Sequence, residues 1–204
     1  MRTNPETTRK ETTQAIALPM TEDRNPAVRA LVREGALVGA GTLLIALCAN
    51  ISVPFWPAPF TMQTFAVVLI GACFGFQRAT TTVLTYLAAG AVGLPVFASA
   101  AGGAAFVGPT SGYLLGFVAA AALTGALMEC GFARHWALTT LAMVIGTAAI
   151  LYGGTAWLAI GWGFGWEQST LMQLPYLPGA AAKILLAMAV LPYARRATQR
   201  WLSR

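Results

Sequence analysis

TMQTFAVVLIGACFGFQRATTTVLTYLAAGAVGLPVF, residues 61–97, decides how this chain is organised. It holds two apolar runs, 61–76 and 79–97, and its one charged residue, Arg78, lies at the seam between them. A helix needs about 20 residues, and at least about 17, to carry ~30 Å of hydrocarbon. The second run meets that length. The first falls slightly short, so it is expected to begin inside a protein-lined cavity. Working outward, further runs cover 35–53, 111–129, 136–160 and 175–194, which makes six predicted spans. Pro178 suits the first turn of the last one, where its missing N–H has no intrahelical partner to lose.

Composition supports the membrane reading. The 204 residues are 57% hydrophobic and 10% charged, where a soluble domain carries about 25% charged residues. The net charge of +6 does not point to nucleic acid, because the basic residues sit in short segments and tails instead of forming a stripe. Arg2, Arg9, Lys10, Arg24, Arg29 and Arg33 precede the first span, Arg78 and Arg134 fall between spans, and Arg195, Arg196, Arg200 and Arg204 follow the last. The connections 1–2, 3–4 and 5–6 contain no Lys or Arg. Positive-inside sorting therefore predicts an all-α integral membrane protein of six transmembrane helices, with both termini cytoplasmic. Residues 1–27 are polar and read as a disordered cytoplasmic tail, 28–196 as the membrane domain and 197–204 as a basic cytoplasmic tail. A cleaved signal peptide fits poorly, since the first apolar run begins late and five more follow. Cys48, Cys73 and Cys130 lack CxxC spacing and read as small apolar residues, with no metal site expected.

The connections on the side opposite the arginines are uncharged or nearly so. NISVPFWPAPFTMQTFAVVL (50–69) crowds prolines and aromatics ahead of Gln63. Residues 93–116 add Thr110, Ser111 and Tyr113 among small residues, and 161–179 add Trp162, Phe164, Trp166 and Gln173. Such chain suits packing over a cavity. An interfacial aromatic belt is the alternative for Trp56, Trp162 and Trp166 taken singly. Lys183 lies about five residues inside the last span, roughly 7–8 Å deep. It either faces a cavity, where it donates to a ligand oxygen, or snorkels to the interface. Gln63, Thr61, Asn50 and Tyr86 either bond a ligand or bond a neighbouring helix. Gly35/Gly39 and Ala36/Ala40 have the small-xxx-small spacing of a close helix contact.

No G-x-x-x-x-G-K-[ST] loop holds a nucleotide, and no span carries paired carboxylates; Glu129 lies at the cytoplasmic end of its span. A membrane-embedded hydrolase built on Ser111 is the rival class. The topology sets His135 on the far side of the membrane from it, which leaves a Ser–Lys pair with Lys183.

VPFWPAPFTMQT (53–64), YLAAGAVGLPVFA (86–98), GPTSGYLLGF (108–117) and LPYLPGAAAK (174–183) together resemble the BioY family, the biotin-specific substrate-binding (S) components of energy-coupling-factor (ECF) transporters. The resemblance implies six helices and biotin bound near the outer face, roofed by the 1–2 and 3–4 connections. It further implies a bacterial cytoplasmic membrane, a transmembrane coupling subunit, two ATP-binding-cassette ATPases and no cofactor. On the ligand it implies Lys183, Gln63, Tyr86, Phe97, Ser99, Thr110 and Tyr113, and on the coupling subunit Ala36 and Ala40. One departure stands out. Relatives often read Pro-Gly-Asp-x-x-Lys at the start of the last helix, and here the acidic position is Ala180. Gln63, Gln173 and Ser99 are candidates to supply the missing acceptor, and another vitamin or a biotin precursor is the alternative ligand.

Overall fold

The computed structural model describes residues 26–98 and 105–203. Ser99 and nearly all of the predicted tail 1–27 lie outside the described residues. The chain divides into two units, 1–32 and 33–204. Described residues of the first form the opening turns of helix α1, Pro26–Asn50. A short antiparallel pair follows, β1 Ser52–Val53 and β2 Phe60–Thr61, and then α2, Gln63–Ala91. Next come α3, Ser111–Glu129, a 3₁₀ turn Phe132–Arg134, and α4, Trp136–Ala156, which runs on into a π-helical turn Trp157–Gly161. Short α5, Trp166–Leu171, leads to α6, Tyr176–Leu202. Among the described residues five helices, α1, α2, α3, α4 with its π turn, and α6, are long and apolar enough to cross a membrane.

Most of both predicted spans within 61–97 falls inside α2, which stops at Ala91 and so short of the predicted end at 97, and the helix is not straight. Gln63 Nε2 donates to the Tyr86 hydroxyl, 23 positions further on, whereas a continuous helix would part them by about 34 Å. The chain therefore doubles back. It does so at Gly75, whose φ of 78° and ψ of 179° are open to glycine and to almost nothing else. The legs 63–74 and 76–91 run antiparallel with no loop between them. The seam thus lies at Gly75 and not at Arg78, which rides on the second leg and pairs with Glu34 of α1 through two bonds of 2.6 and 2.8 Å.

A bare break inside an apolar run would orphan backbone groups at both new helix ends. Two distant charges each satisfy one of them. Glu129 at the end of α3 accepts the Phe76 N–H at 2.8 Å, and the Arg195 guanidinium of α6 donates to the Ala72 carbonyl at 3.2 and 3.3 Å. Each charge has the sign its helix end favours: the carboxylate sits at the N-terminus of one leg, the guanidinium at the C-terminus of the other.

Helix α3 packs between α2 and α4. Its contact with α4 is close because glycines face each other: a Cβ on Gly153 would lie 2.7 Å from the Gly112 carbonyl. By contrast, α1 leaves Gly35, Ala36, Gly39, Ala40, Leu43 and Leu47 exposed along one side. The proline-rich insert folds as a β-hairpin, Ser52 opposite Thr61 and Val53 opposite Phe60, with a cis Trp56–Pro57 bond at its tip. The segment from Arg196 to Leu202 continues α6 as helix.

Candidate functional site

Beneath the hairpin lies a cavity of about 310 Å³. Pro57, Ala58 and Pro59 of the hairpin tip form its roof. Phe97, Ala98, Ala105, Pro109 and Thr110 close one side, and Gln63, Thr64, Tyr113, Leu114, Phe117, Ile150, Leu151, Tyr176 and Lys183 form the helical walls. Its size falls in the range of small-molecule sites, about 300–1,000 Å³, and like them it is apolar with few polar groups.

Lys183 reaches this cavity from α6. Its ammonium donates to the Thr61 carbonyl at 2.5 Å and lies 4.4 Å above the centre of the Phe60 ring. The ring is seated by Tyr176, stacked at 5.2 Å, and by Gly179, where any Cβ would sit 2.2 Å from it. The charge is thus compensated by a carbonyl and a π face, both on the hairpin. Tyr176 makes a second tie: its hydroxyl donates to the Ala58 carbonyl and accepts the Ala58 N–H at 3.3 Å. Phe55 packs edge-on against the same tyrosine, with ring centres 5.4 Å apart. The roof is therefore fastened to one face of α6.

Gln63 opens α2 at the cavity wall and is bonded to Tyr86, whose hydroxyl donates to the Val96 carbonyl at 3.0 Å. Tyr86 is 0% exposed. It lies behind Gln63 and does not line the cavity, so it is a support for the wall and not a surface of it. Phe97 does line the cavity, edge-on to Tyr86 at 5.2 Å and to Phe106 at 5.4 Å. Gly90 leaves room for that ring, since a Cβ there would meet it at 2.1 Å.

Tyr113 faces the cavity, while its hydroxyl is held by Gln173, 2.7 Å from Nε2 and 3.0 Å from Oε1. Gln173 sits behind Tyr113 and outside the lining. Thr110 lines the cavity and donates to the Ala105 carbonyl at 3.2 Å. The Ser111 hydroxyl is taken up by the carbonyls of Ala105 and Gly108, at 3.1 and 2.7 Å, and is not part of the lining. No nucleophile is poised there.

Residues 15–200 match the family model of the BioY family. The chain belongs to the BioY family. It is 44% identical over 110 residues to the biotin transporter BioY of Thermotoga maritima, a match that spans 53% of this chain and 65% of that one. It is 33% identical to the biotin transporter BioY of Rhizobium etli, over 74% of this chain and 86% of the relative. The corresponding figures for the probable biotin transporter BioY of Pyrococcus horikoshii are 35%, 78% and 93%. A crystal structure of the S-component for biotin from an ECF-type ABC transporter superposes with a TM-score of 0.71 at 22% identity, covering 88% of this chain and 95% of that one. At that identity the likeness concerns the fold. These BioY relatives are transporters, not hydrolases, in keeping with the buried Ser111.

The four stretches that resemble BioY all supply cavity residues: the roof from 53–64, Phe97 from 86–98, Tyr113 from 108–117 and Lys183 from 174–183. Sequence reasoning passed over Tyr176 and Phe60. The only trace of Tyr176 was its place in the LPYLPG stretch. Its partner Ala58 is 118 positions away, and no local pattern connects the two.

Proposed function

We propose that this protein captures biotin in the cavity under the β1–β2 hairpin and serves as the substrate-binding component of an ECF-type transporter. The observation that carries this reading is Lys183, an ammonium held in a mostly apolar chamber by one carbonyl and one aromatic face. Biotin matches such a chamber. Its thioether ring and valeryl chain suit the apolar walls, and its carboxylate or ureido oxygen can take the place of the Thr61 carbonyl on Lys183. Phe97, Tyr113 and Thr110 line the same space and are assigned to the ligand. Gln63 is assigned as an acceptor and Tyr86 as its support.

The membrane arrangement we favour has six crossings, the two legs of α2 counting separately, with both termini cytoplasmic. It is supported by the turn at Gly75, which sets Arg78 near the same end as Arg195. The cavity then faces the outside of a bacterial cytoplasmic membrane. Energy would come from separate ATPases through a transmembrane coupling subunit, since the chain has no nucleotide loop. The exposed small face of α1 suits that subunit: among the described residues, and leaving aside the helix's own neighbouring backbone, no atom lies within 4 Å of a Cβ built on Gly35 or Gly39, and Ala36 and Ala40 flank them. No cofactor is required for capture.

Titration calorimetry of the purified protein with biotin tests the reading, and absence of binding at micromolar concentration refutes it. A charge-assisted hydrogen bond contributes about 1.5–3 kcal/mol, so Lys183→Ala should weaken biotin by roughly 10- to 150-fold with expression retained. Unchanged affinity would assign Lys183 to the hairpin alone. Ala180 favours a second ligand within the same reading, a biotin precursor or another vitamin. Competition by desthiobiotin, thiamine or riboflavin against labelled biotin decides between them.

A further inference from the structure

The wall at Gln63 supports a finer statement about which ligands the cavity takes, and it rests on the reading above. A tyrosine hydroxyl has one hydrogen, and that of Tyr86 goes to the Val96 carbonyl at 3.0 Å. The phenol oxygen therefore meets Gln63 as an acceptor, and only the –NH₂ end of the amide satisfies it. This removes an ambiguity that carboxamides usually carry, because their two ends are nearly alike in size. The reverse arrangement would leave the Val96 carbonyl without its partner beside a fully buried ring.

With Nε2 held, Oε1 is the free end of the side chain. It makes no hydrogen bond to any described residue. It is also not among the sealed polar atoms lacking a partner, which are Arg33 Nε and Ser169 Oγ. Gln63 lines the cavity, so that oxygen is available to whatever fills it. The neighbouring polar groups differ from it: Lys183 only donates, Gln173 is behind Tyr113, and the hydroxyls of Thr64 and Thr110 on the same lining can donate as well as accept. The Gln63 oxygen is thus the side-chain group there that accepts without being able to donate.

We infer that Gln63 presents a fixed hydrogen-bond acceptor to the ligand and so selects for an N–H donor in a cyclic urea or amide, with Tyr86 as the positioning residue that sets its orientation. Biotin offers such donors in its ureido ring. A ligand with oxygen in place of that N–H would bring lone pair against lone pair and be rejected.

The test compares biotin with its two cyclic carbamate analogues, in which oxygen replaces one or the other ureido N–H. Dissociation constants are measured by calorimetry on the full chain in detergent. The wild type should prefer biotin over at least one analogue by about tenfold or more. Tyr86→Phe keeps the ring against Phe97 but frees the amide to flip and offer its –NH₂. The preference should then fall to within about threefold, with biotin weakened and the analogue strengthened. Gln63→Met should erase the preference by weakening biotin alone. If Tyr86→Phe weakens both ligands by the same factor, Tyr86 is merely structural and the inference is overturned, whether or not Gln63→Met folds. A wild type that binds biotin without discriminating against either analogue overturns the inference and spares the proposed function. A wild type that does not bind biotin refutes both.

Discussion

Replacing Gly75 by alanine should undo the turn that folds α2 onto itself. Two effects add. The backbone at φ 78°, ψ 179° lies where a residue with a Cβ is strained, at a cost of about 1–3 kcal/mol. The new Cβ would also come within 2.3 Å of Glu129 Oε1, the atom that accepts the Phe76 N–H. Moving the carboxylate away forfeits a hydrogen bond to a charged group, about 1.5–3 kcal/mol more. The total of roughly 2.5–6 kcal/mol should lower the melting midpoint of a chain this size by about 5–24 °C. The assay is thermal unfolding in detergent, followed by circular dichroism or by gel filtration of heated samples. Glu129→Ala supplies the internal control. It removes the obstacle, so adding Gly75→Ala in that background should cost only the backbone strain, about half the single-mutant effect. An alanine variant melting within about 2 °C of wild type would refute the reasoning, since neither strain nor collision would then be present. So would two variants whose effects simply add.

Three further outcomes are expected. Tyr176→Phe keeps the stack on Phe60 but cuts both bonds to Ala58, so it should speed biotin release several-fold with little change in association, read by stopped-flow tryptophan fluorescence; an unchanged release rate would show that the roof is not held there. Ala36→Leu with Ala40→Leu, on the exposed side of α1, should abolish co-purification of the coupling subunit while leaving biotin affinity intact. Membrane-impermeant thiol reagents applied to intact cells in a background lacking the three native cysteines should reach cysteines placed at Trp56 or Val107 and not at Arg78 or Arg134. The reverse pattern would turn the cavity to the wrong side.

Much of the site is legible in the sequence, for identifiable reasons. A lysine deep in an apolar span is costly enough to need a partner, which singles out Lys183. A proline- and aromatic-rich connection without charge is unlike a solvent loop, which singles out the roof. What escapes the sequence depends on partners far along the chain. The hairpin strands are too short for any alternation to register. Tyr86 and Gln173 are recognisable as polar residues, yet composition says nothing about whether such a residue stands at a cavity wall or behind it. Both stand behind, each holding the residue in front. The turn at Gly75 is hidden because one glycine among 21 carries no mark of positive φ. The nearby arginine marks the boundary instead, three residues away from the true one.

The sequence by itself determined that this is a membrane protein, where its apolar segments lie, how its arginines are distributed between them and to which family it belongs. These are sums over many residues of transfer energy and charge, and they survive ignorance of every contact. Only the tertiary structure decided where α2 reverses, which carbonyl holds the lysine and which way the glutamine amide points. Each of those depends on a single atom brought within bonding distance by packing, and one-dimensional order does not encode that proximity in any local form.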